Sequence, residues 1–502
     1  METSPITQSK KRRYSGEHTG RALSKGDDEA TASKQESAQK QKAGGIHATT
    51  CRDEDYFRNL YSTEPDFHRL GLKYPDLRAL LKDDIYLDFS DPAATVQLTR
   101  ALLKEDFGLE VSLPPDRLCP PVPNRHNYIL WLKDLLDSTA SSYSEQYEPE
   151  RRVTGLDVGT GASLIYPLLG CIQRPAWYFI AVDIDAKSLS SARENARLNN
   201  LESRIRIVEH TASDALICPH DWDTDTIDFA MVNPPFYASD TELLDLAKRK
   251  SQPPHSACTG APVEMICDGG EVGFVKRIIN ESLTLRDKVQ WYTAMLGKQS
   301  SLEVLVDILK QHGITNFAVT TFIQGSKTRR WAIGWSFCTR RPSLSASRGT
   351  CGSFAAKRIL PPVTAFTFYG PPNISTDVIP SLKKILCDIM ESMSLRSWSW
   401  DEQRLRGVGF SNGNVWSRAY RRRKVDENVI PKQETTILPP DFTACVFGFS
   451  ISISITLGDA DKPRGNTAII IRWLQGDDYS LFESFSGVII RRCLRTDVSG
   501  ST

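Results

Sequence analysis

Asn233-Pro234-Pro235-Phe236 is the tetrapeptide with the most chemistry in this 502-residue chain. It follows Ile227-Asp228-Phe229-Ala230-Met231-Val232, a short apolar run of the kind that forms a parallel strand buried on both faces. Two prolines end such a strand and leave the Asn at its carboxyl end, where open α/β sheets bind their ligands. There the carboxamide oxygen of Asn233 can accept one N–H of a planar exocyclic amine, and the Pro234 carbonyl can accept the other. Both bonds draw the nitrogen lone pair out of conjugation and aim it at an incoming methyl group. Phe236 offers a face for a flat ring to stack on, with Tyr237 beside it as a second aromatic. A strand-ending turn that contains Asn-Pro-Pro by chance is the bland alternative, and the tetrapeptide alone leaves it open.

The elements needed to position that Asn are legible upstream. Val153-Thr154-Gly155-Leu156-Asp157-Val158-Gly159-Thr160-Gly161-Ala162-Ser163 reads as a strand, a glycine turn and the start of a helix. Gly159 and Gly161 let backbone approach a ligand closely, and their spacing lacks the dinucleotide fingerprint. Asp157 puts a carboxylate before the turn, which suits the cationic amino-acid end of S-adenosylmethionine better than a pyrophosphate. The next strand, Trp177–Val182, ends at Asp183, some twenty residues past the glycines and placed to hold ribose hydroxyls. Asp185 is the runner-up for that role and the better candidate to cap the following helix. A helix over 187–200 and a strand over 204–208 come next, and Asp214 or Ser213 would then fall near the adenine ring of the cofactor. Beyond the motif the pattern predicts a helix over 270–286, a strand over 289–296 and a helix over 301–312. Two last strands, 316–323 and 330–337, are joined by a short turn. A closing hairpin after a run of βα units predicts a class I, Rossmann-like methyltransferase of the α/β class.

The chain resembles the methyltransferase-like protein 16 family, the eukaryotic U6 small nuclear RNA adenine-N6 methyltransferases. The likeness rests on Tyr74-Pro75-Asp76-Leu77-Arg78, Leu103–Leu109, Pro123–Ile129, Asp157–Ser163, Asn233–Phe236, Gly269–Ile279, Trp291–Lys298 and Arg330–Phe337, spread over about residues 70 to 340. The resemblance implies that Arg125 binds the cofactor, that Gly159 is the cofactor-loop glycine and that Asn233 is catalytic. It also implies S-adenosylmethionine as methyl donor and U6 RNA, presented in a structured hairpin, as substrate. Asp183 stands where animal members are expected to carry Glu, and Tyr237 follows the motif where Phe is common. The C-terminal third carries no segment that extends the likeness. Protein glutamine methylation is a second enzyme class that an Asn-Pro-Pro-aromatic clamp would serve, and a non-catalytic RNA-binding scaffold is a third reading. Intact Asp157, Gly159, Asp183 and Asn233 favour an enzyme over the scaffold.

Net charge is +1, so any nucleic-acid surface must be a local patch. Eleven cysteines without a C-x-x-C pair predict neither a metal site nor a disulfide framework, and no apolar run approaches the length of a membrane span. Residues 1–50, rich in Ser, Lys, Gln and Glu, are predicted to be a disordered tail. Within it Lys10-Lys11-Arg12-Arg13 is a nuclear-import type of cluster, which points to the nucleus with the cytoplasm as a second location; the alternative is a solvated charge run. Residues 51–340 are then the methyltransferase domain, with a basic helical module at its N-terminal end that includes Arg117, Arg125 and Lys133. The long loop 237–268 carries Lys248, Arg249 and Lys250, which could touch RNA. Residues 341–360 read as a linker and 361–502 as a smaller α+β domain. There Trp416 and Tyr420 interleave with Arg418, Arg421, Arg422, Arg423 and Lys424, five basic residues in seven. Such a run can neutralise phosphates while its aromatics stack on bases. Equally, the aromatics can belong to the core and the basic run to a solvated end.

Overall fold

The computed structural model of the chain describes residues 52–239, 260–324, 328–349, 358–369, 378–420, 422, 445–456 and 466–498. The tail 1–50, its basic cluster, and Lys248, Arg249, Lys250, Arg421, Arg423 and Lys424 lie outside these residues.

Short helices open the described part: α1 (Glu54–Asn59), α2 (Phe67–Lys73) and α3 (Pro75–Arg78). A two-stranded ribbon, β1 (Leu81–Lys82) and β2 (Tyr86–Leu87), leads to α4 (Pro92–Leu102) and the long α5 (Val122–Ser138). Each start has a local cause. Asp53 accepts from the Tyr56 amide, Asp66 from Arg69 and Asp91 from Ala93, and Pro92 sits where a helix loses nothing for lacking an N–H.

The remaining elements build a seven-stranded sheet. β3 (Val153–Val158), α6 (Ile165–Gln173), β4 (Trp177–Asp183), α7 (Ala186–Leu198), β5 (Ile205–Glu209) and β6 (Ile227–Val232) alternate as βα units. After α8 (Pro262–Met265) come α9 (Gly270–Leu285), β7 (Val289–Leu296), α10 (Gln299–Gln311) and the hairpin β8 (Phe317–Gln324) and β9 (Thr328–Trp335). The spatial order is β5-β4-β3-β6-β7-β9-β8, with β9 antiparallel to both of its neighbours and all other pairs parallel. All eight residues of β7 are buried, as a strand covered on both faces requires. One core packs α5 and α6, with Phe57, Leu102 and Phe107 of the N-terminal helices, against one face of the sheet. The other gathers Val275 and Ile279 of α9 and Leu302, Leu305 and Leu309 of α10 on the opposite face.

α11 (Leu344–Arg348) lies inside the stretch expected to be a linker. Its Ala346 carbonyl accepts from the Trp131 indole at 2.8 Å, and Arg341 just before it is only 2 % exposed. Serine, arginine and glycine composition suggested a linker over 341–360; Arg341 and Ala346 within it are buried, and 350–357 lie outside the described residues. The second sheet holds β10 (Ala365–Tyr369), β11 (Ser397–Asp401), β12 (Arg406–Ser411), β13 (Phe447–Thr456) and β14 (Asn466–Gln475), in the order β10-β14-β13-β12-β11 and fully antiparallel. α12 (Val378–Glu391) and α13 (Tyr479–Val498) share a core with it. The two sheets are fastened by arginines. Arg341 donates to the Gly476 carbonyl at 2.7 Å and pairs with Asp477, while Arg472 and Arg406 converge on Glu145 from the loop before β3.

Candidate active site

Three strand ends meet at the carboxyl edge of the first sheet, because the register sets Val158 of β3 beside Val182 of β4 and Val232 of β6. Beyond β3, the Gly159 and Thr160 amides both donate to the Val182 carbonyl, at 2.9 and 3.0 Å, which hangs the glycine turn on the end of β4. Gly159 and Gly161 have φ of +72° and +65°, a conformation that glycine adopts without strain. A Cβ on Gly159 would meet nothing within 4 Å, so the outer side of the turn is open for a ligand.

Asp157 lies under that turn, 1 % exposed, and its Oδ2 accepts from Thr160 Oγ1 at 2.7 Å. Its Oδ1 is buried with no partner among the described residues, and burial pushes the carboxyl up to about 7. Asp183 ends β4 with its carboxylate held by three amides. Gly161 N–H reaches Oδ2 at 2.8 Å, while Ile184 and Asp185 N–H reach Oδ1 at 2.8 and 3.0 Å. Asp185 takes the capping role, accepting from the Ser188 amide at 2.8 Å and pairing with Arg117 at 2.9 Å. The two acids are thereby separated: one caps and the other faces the glycine turn.

Asn233 is half-buried at the end of β6. Arg125, from the buried face of α5 and 4 % exposed, donates from Nη1 to Asn233 Oδ1 at 3.2 Å. The same nitrogen lies 3.1 Å from Met295 Sδ, and the guanidinium stands over the Tyr166 ring at 5.5 Å. Arg125 Nε is buried without a partner among the described residues. A side chain 108 positions from the motif thus fixes the Asn233 amide.

Phe236 packs where Gly297 leaves room, since a Cβ there would come within 3.1 Å of the Phe236 ring. Buried Glu271 holds that glycine in place by accepting from the Gly297 and Lys298 amides at 2.6 and 3.1 Å. Arg330 of β9 stands 5.9 Å from the Phe236 ring centre, a cation over the aromatic face. Burial, with Arg125 adding repulsion, lowers its pKa. Tyr237 is pinned by backbone, its N–H to Met265 O and its C=O to Cys267 N, both at 3.0 Å. Sequence reading missed Arg330, Glu271 and Glu264, none of which carries a periodic or spacing signal.

Other expected residues are elsewhere or otherwise engaged. Asp214 is exposed and turns back on its own loop, accepting from the Thr211 amide at 2.6 Å and its hydroxyl at 2.9 Å, so its carboxylate serves the turn that carries it. Trp416 is 2 % exposed and packs on Phe447 and Phe485 in the second core, so it cannot stack on a base. Tyr420 is partly buried against the same core, and Arg422 is exposed. Among the described residues no cluster of His, Cys, Asp and Glu is placed to hold a metal, and no helix is long and apolar enough to cross a membrane.

The donor set fits S-adenosylmethionine. Asp183 can accept from ribose hydroxyls, the open glycine turn admits close approach, and the unpartnered Asp157 Oδ1 and Arg125 Nε match the ammonium and carboxylate of an amino-acid moiety.

A family model described as RNA methyltransferase matches residues 52–339. The U6 small nuclear RNA (adenine-(43)-N(6))-methyltransferase of Schizosaccharomyces pombe is 33% identical over 405 residues, covering 81% of this chain and 94% of the relative. A match of 405 residues cannot fit within residues 1–339, so it continues into the C-terminal domain, where the motifs carry no likeness. The zebrafish RNA N(6)-adenosine-methyltransferase mettl16 is 41% identical, and the match spans 56% of this chain and 58% of that protein. The human Mettl16 catalytic domain, solved in complex with MAT2A 3′UTR hairpin 1, is 40% identical with a TM-score of 0.50, covering 56% of this chain and 94% of that one. With its glycine turn, Asp183 and Asn-Pro-Pro-Phe motif on one sheet edge, the chain belongs to this RNA methyltransferase family.

Proposed function

We propose that this protein is an S-adenosylmethionine-dependent RNA methyltransferase that forms N6-methyladenosine in U6 small nuclear RNA and acts on other hairpin RNAs. The observation that carries the reading is Asn233 at the end of β6, its oxygen bonded to Arg125 and the cofactor-type glycine turn on the adjoining strand. The named activity of a relative aligned over 94% of its length agrees with it.

When bound, S-adenosylmethionine supplies an electrophilic methyl group. The chain's own residues do the rest by orientation and charge placement. Asn233 Oδ1 has two lone pairs. One takes the Arg125 N–H, and the other is left for an N6–H of an adenine turned out of its stack. The Pro234 carbonyl accepts the second N6–H, so the nitrogen lone pair leaves conjugation with the ring. Phe236 stacks the base, with the Arg330 cation near its ring. After transfer the alkylated nitrogen is strongly acidic, and its proton passes to solvent without a dedicated base.

The C-terminal domain belongs to the RNA-binding side of this reading, with Arg421, Arg422 and Arg423 neutralising phosphates. The Lys10–Arg13 cluster supports a nuclear location. The discriminating experiment gives the protein labelled cofactor with U6 RNA, with a hairpin of unrelated sequence, and with a glutamine-containing protein extract, followed by nucleoside analysis. Labelled N6-methyladenosine from U6 RNA supports the proposal. Label in protein would replace it with glutamine methylation, and no label at all would leave an RNA-binding scaffold.

A further inference from the structure

Glu264 is a half-buried carboxylate brought to the cofactor cleft by the chain that returns after the motif. Its two oxygens are used differently. Oε2 accepts from the Leu118 amide at 3.0 Å and the Ala261 amide at 2.8 Å, which ties α8 to the segment that precedes α5. Oε1 faces the glycine turn: a Cβ on Gly161 would find it at 3.7 Å and no other atom within 4 Å. Gly161 is also the residue whose N–H holds Asp183, so two carboxylates stand against one glycine. No described residue hydrogen-bonds Oε1, although burial disfavours its ionised form and Asp183 adds repulsion. The same cleft contains the buried, unpartnered Asp157 Oδ1 and Arg125 Nε, so it is short of partners at several points at once. A ligand that offers donors and positive charge to the carboxylates and an acceptor to the guanidinium would supply them.

We infer that Glu264 is a further cofactor-binding residue, its Oε1 accepting a hydrogen bond from a ribose hydroxyl or from the ammonium group of S-adenosylmethionine. The inference rests on the cofactor assignment above and goes beyond it, because it draws a ligand from a segment outside the strand ends. That segment is also bonded to the catalytic motif, through Tyr237 N–H to Met265 O and Cys267 N–H to Tyr237 O. Cofactor bound to Glu264 therefore steadies the residues that hold Tyr237, and the aromatic end of the substrate clamp is coupled to the cofactor pocket.

The test is calorimetry with S-adenosylhomocysteine on the full chain, wild type against Glu264→Gln and Glu264→Ala, with melting of each unliganded protein alongside. Gln keeps an oxygen for the Leu118 and Ala261 amides but puts an NH2 donor where the cofactor needs an acceptor. Glu264→Gln is expected to weaken binding roughly ten- to a hundredfold, as for a lost bond to a charged group. Its melting temperature should stay near that of wild type. 5′-Methylthioadenosine, which lacks the amino-acid moiety, identifies the donor: an equal loss means ribose and no loss means the ammonium. If Gln binds S-adenosylhomocysteine as tightly as wild type while Ala loses both binding and melting temperature, Glu264 is only an anchor and the inference is overturned. Should Gln melt early, Glu264→Asp takes its place, withdrawing the charge by one methylene, and unchanged affinity in that variant equally overturns the inference. Wild type that binds no S-adenosylhomocysteine would instead bring down the cofactor assignment itself.

Discussion

Replacing Asn233 by Ala isolates the chemical step. The substitution removes the amide oxygen proposed to accept the substrate N–H, and removing one such preorganised partner of a transition state typically costs about 2.7–4 kcal/mol, or roughly 10²- to 10³-fold in rate. Cofactor affinity should hardly move, since Asp183, the glycine turn and Asp157 are all untouched. A second cost follows from this structure. Arg125 Nη1 now bonds Asn233 Oδ1 at 3.2 Å, and Arg125 Nε is already without a partner among the described residues. Taking the oxygen away leaves a more poorly satisfied buried guanidinium, worth about 1–3 kcal/mol of stability. The assay is single-turnover methylation of a U6-type hairpin with labelled cofactor, with S-adenosylhomocysteine calorimetry and thermal melting on the same preparations. The expected pattern is a rate down by at least about a hundredfold, near-normal cofactor affinity and a measurable fall in melting temperature. A rate within a few-fold of wild type would refute the placing of the substrate amine at Asn233. A normal rate constant with greatly weakened cofactor would move Asn233 from the substrate to the cofactor.

Asp183→Ala should weaken S-adenosylhomocysteine by roughly 2–3 kcal/mol in calorimetry; unchanged affinity would mean that another acid holds the ribose, with Asp185 already occupied by Arg117 and its helix cap. Burial holds Asp157 neutral up to about pH 7, and a cationic group on the cofactor favours its ionised form. Cofactor affinity should therefore rise with pH through that region, while the stability that the protonated carboxyl lends the unliganded fold is lost over the same range; Asp157→Asn should flatten the affinity profile, and a profile that keeps its slope in that variant would exclude Asp157 as the titrating group. Trp416→Ala should cost about 3–5 kcal/mol in denaturant unfolding, the usual range for deleting a buried indole; a loss confined to RNA affinity would contradict its place in the core. Arg421, Arg422 and Arg423 changed together to Ala should lower RNA affinity and flatten its salt dependence by about 0.7–0.9 for each phosphate no longer neutralised; an unchanged slope in a salt titration would leave the domain without this RNA-binding role.

What the sequence revealed was set by how local each cause is. β6 and β7 were legible because strands buried on both faces are continuous apolar runs, and the end of β6 because two prolines cannot extend it. The separation of Asp183 from Asp185 was also local, since a cap answers to an amide three residues on. The bond from Arg125 to Asn233 was not: it links α5 to a strand end across 108 residues, and only the family resemblance marked Arg125 as a site residue. Glu264 and Glu271 escaped notice for the same reason, as each serves backbone amides far from it in the sequence. For Trp416 the sequence leaves both a nucleic-acid surface and the core open. Basic neighbours suggested a nucleic-acid surface, yet Phe447 and Phe485, from a strand and a helix further along, decide its burial. The burial of Arg341 was not legible in composition either, because a guanidinium can be buried wherever carbonyls and a carboxylate meet it, as Gly476 and Asp477 do here.

These long-range interactions account for more than tidy packing. A strand end alone would leave the Asn233 side chain free to rotate, and fixing it during catalysis would take from the transition state what its hydrogen bond contributes. Arg125 settles the orientation before substrate arrives, at the cost of burying a partly unsatisfied guanidinium. Glu271 does the same on the Phe236 side, holding Gly297 where the Phe236 ring needs clearance. The sheet therefore supplies positions, while α5 and the segment from α8 into α9 supply rigidity. Electrostatic preorganisation is most effective when its reorganisation has been completed during folding. Loss of Arg125 should for this reason lower the rate of methyl transfer even where saturating cofactor restores occupancy, which separates an orienting role from a purely cofactor-binding one.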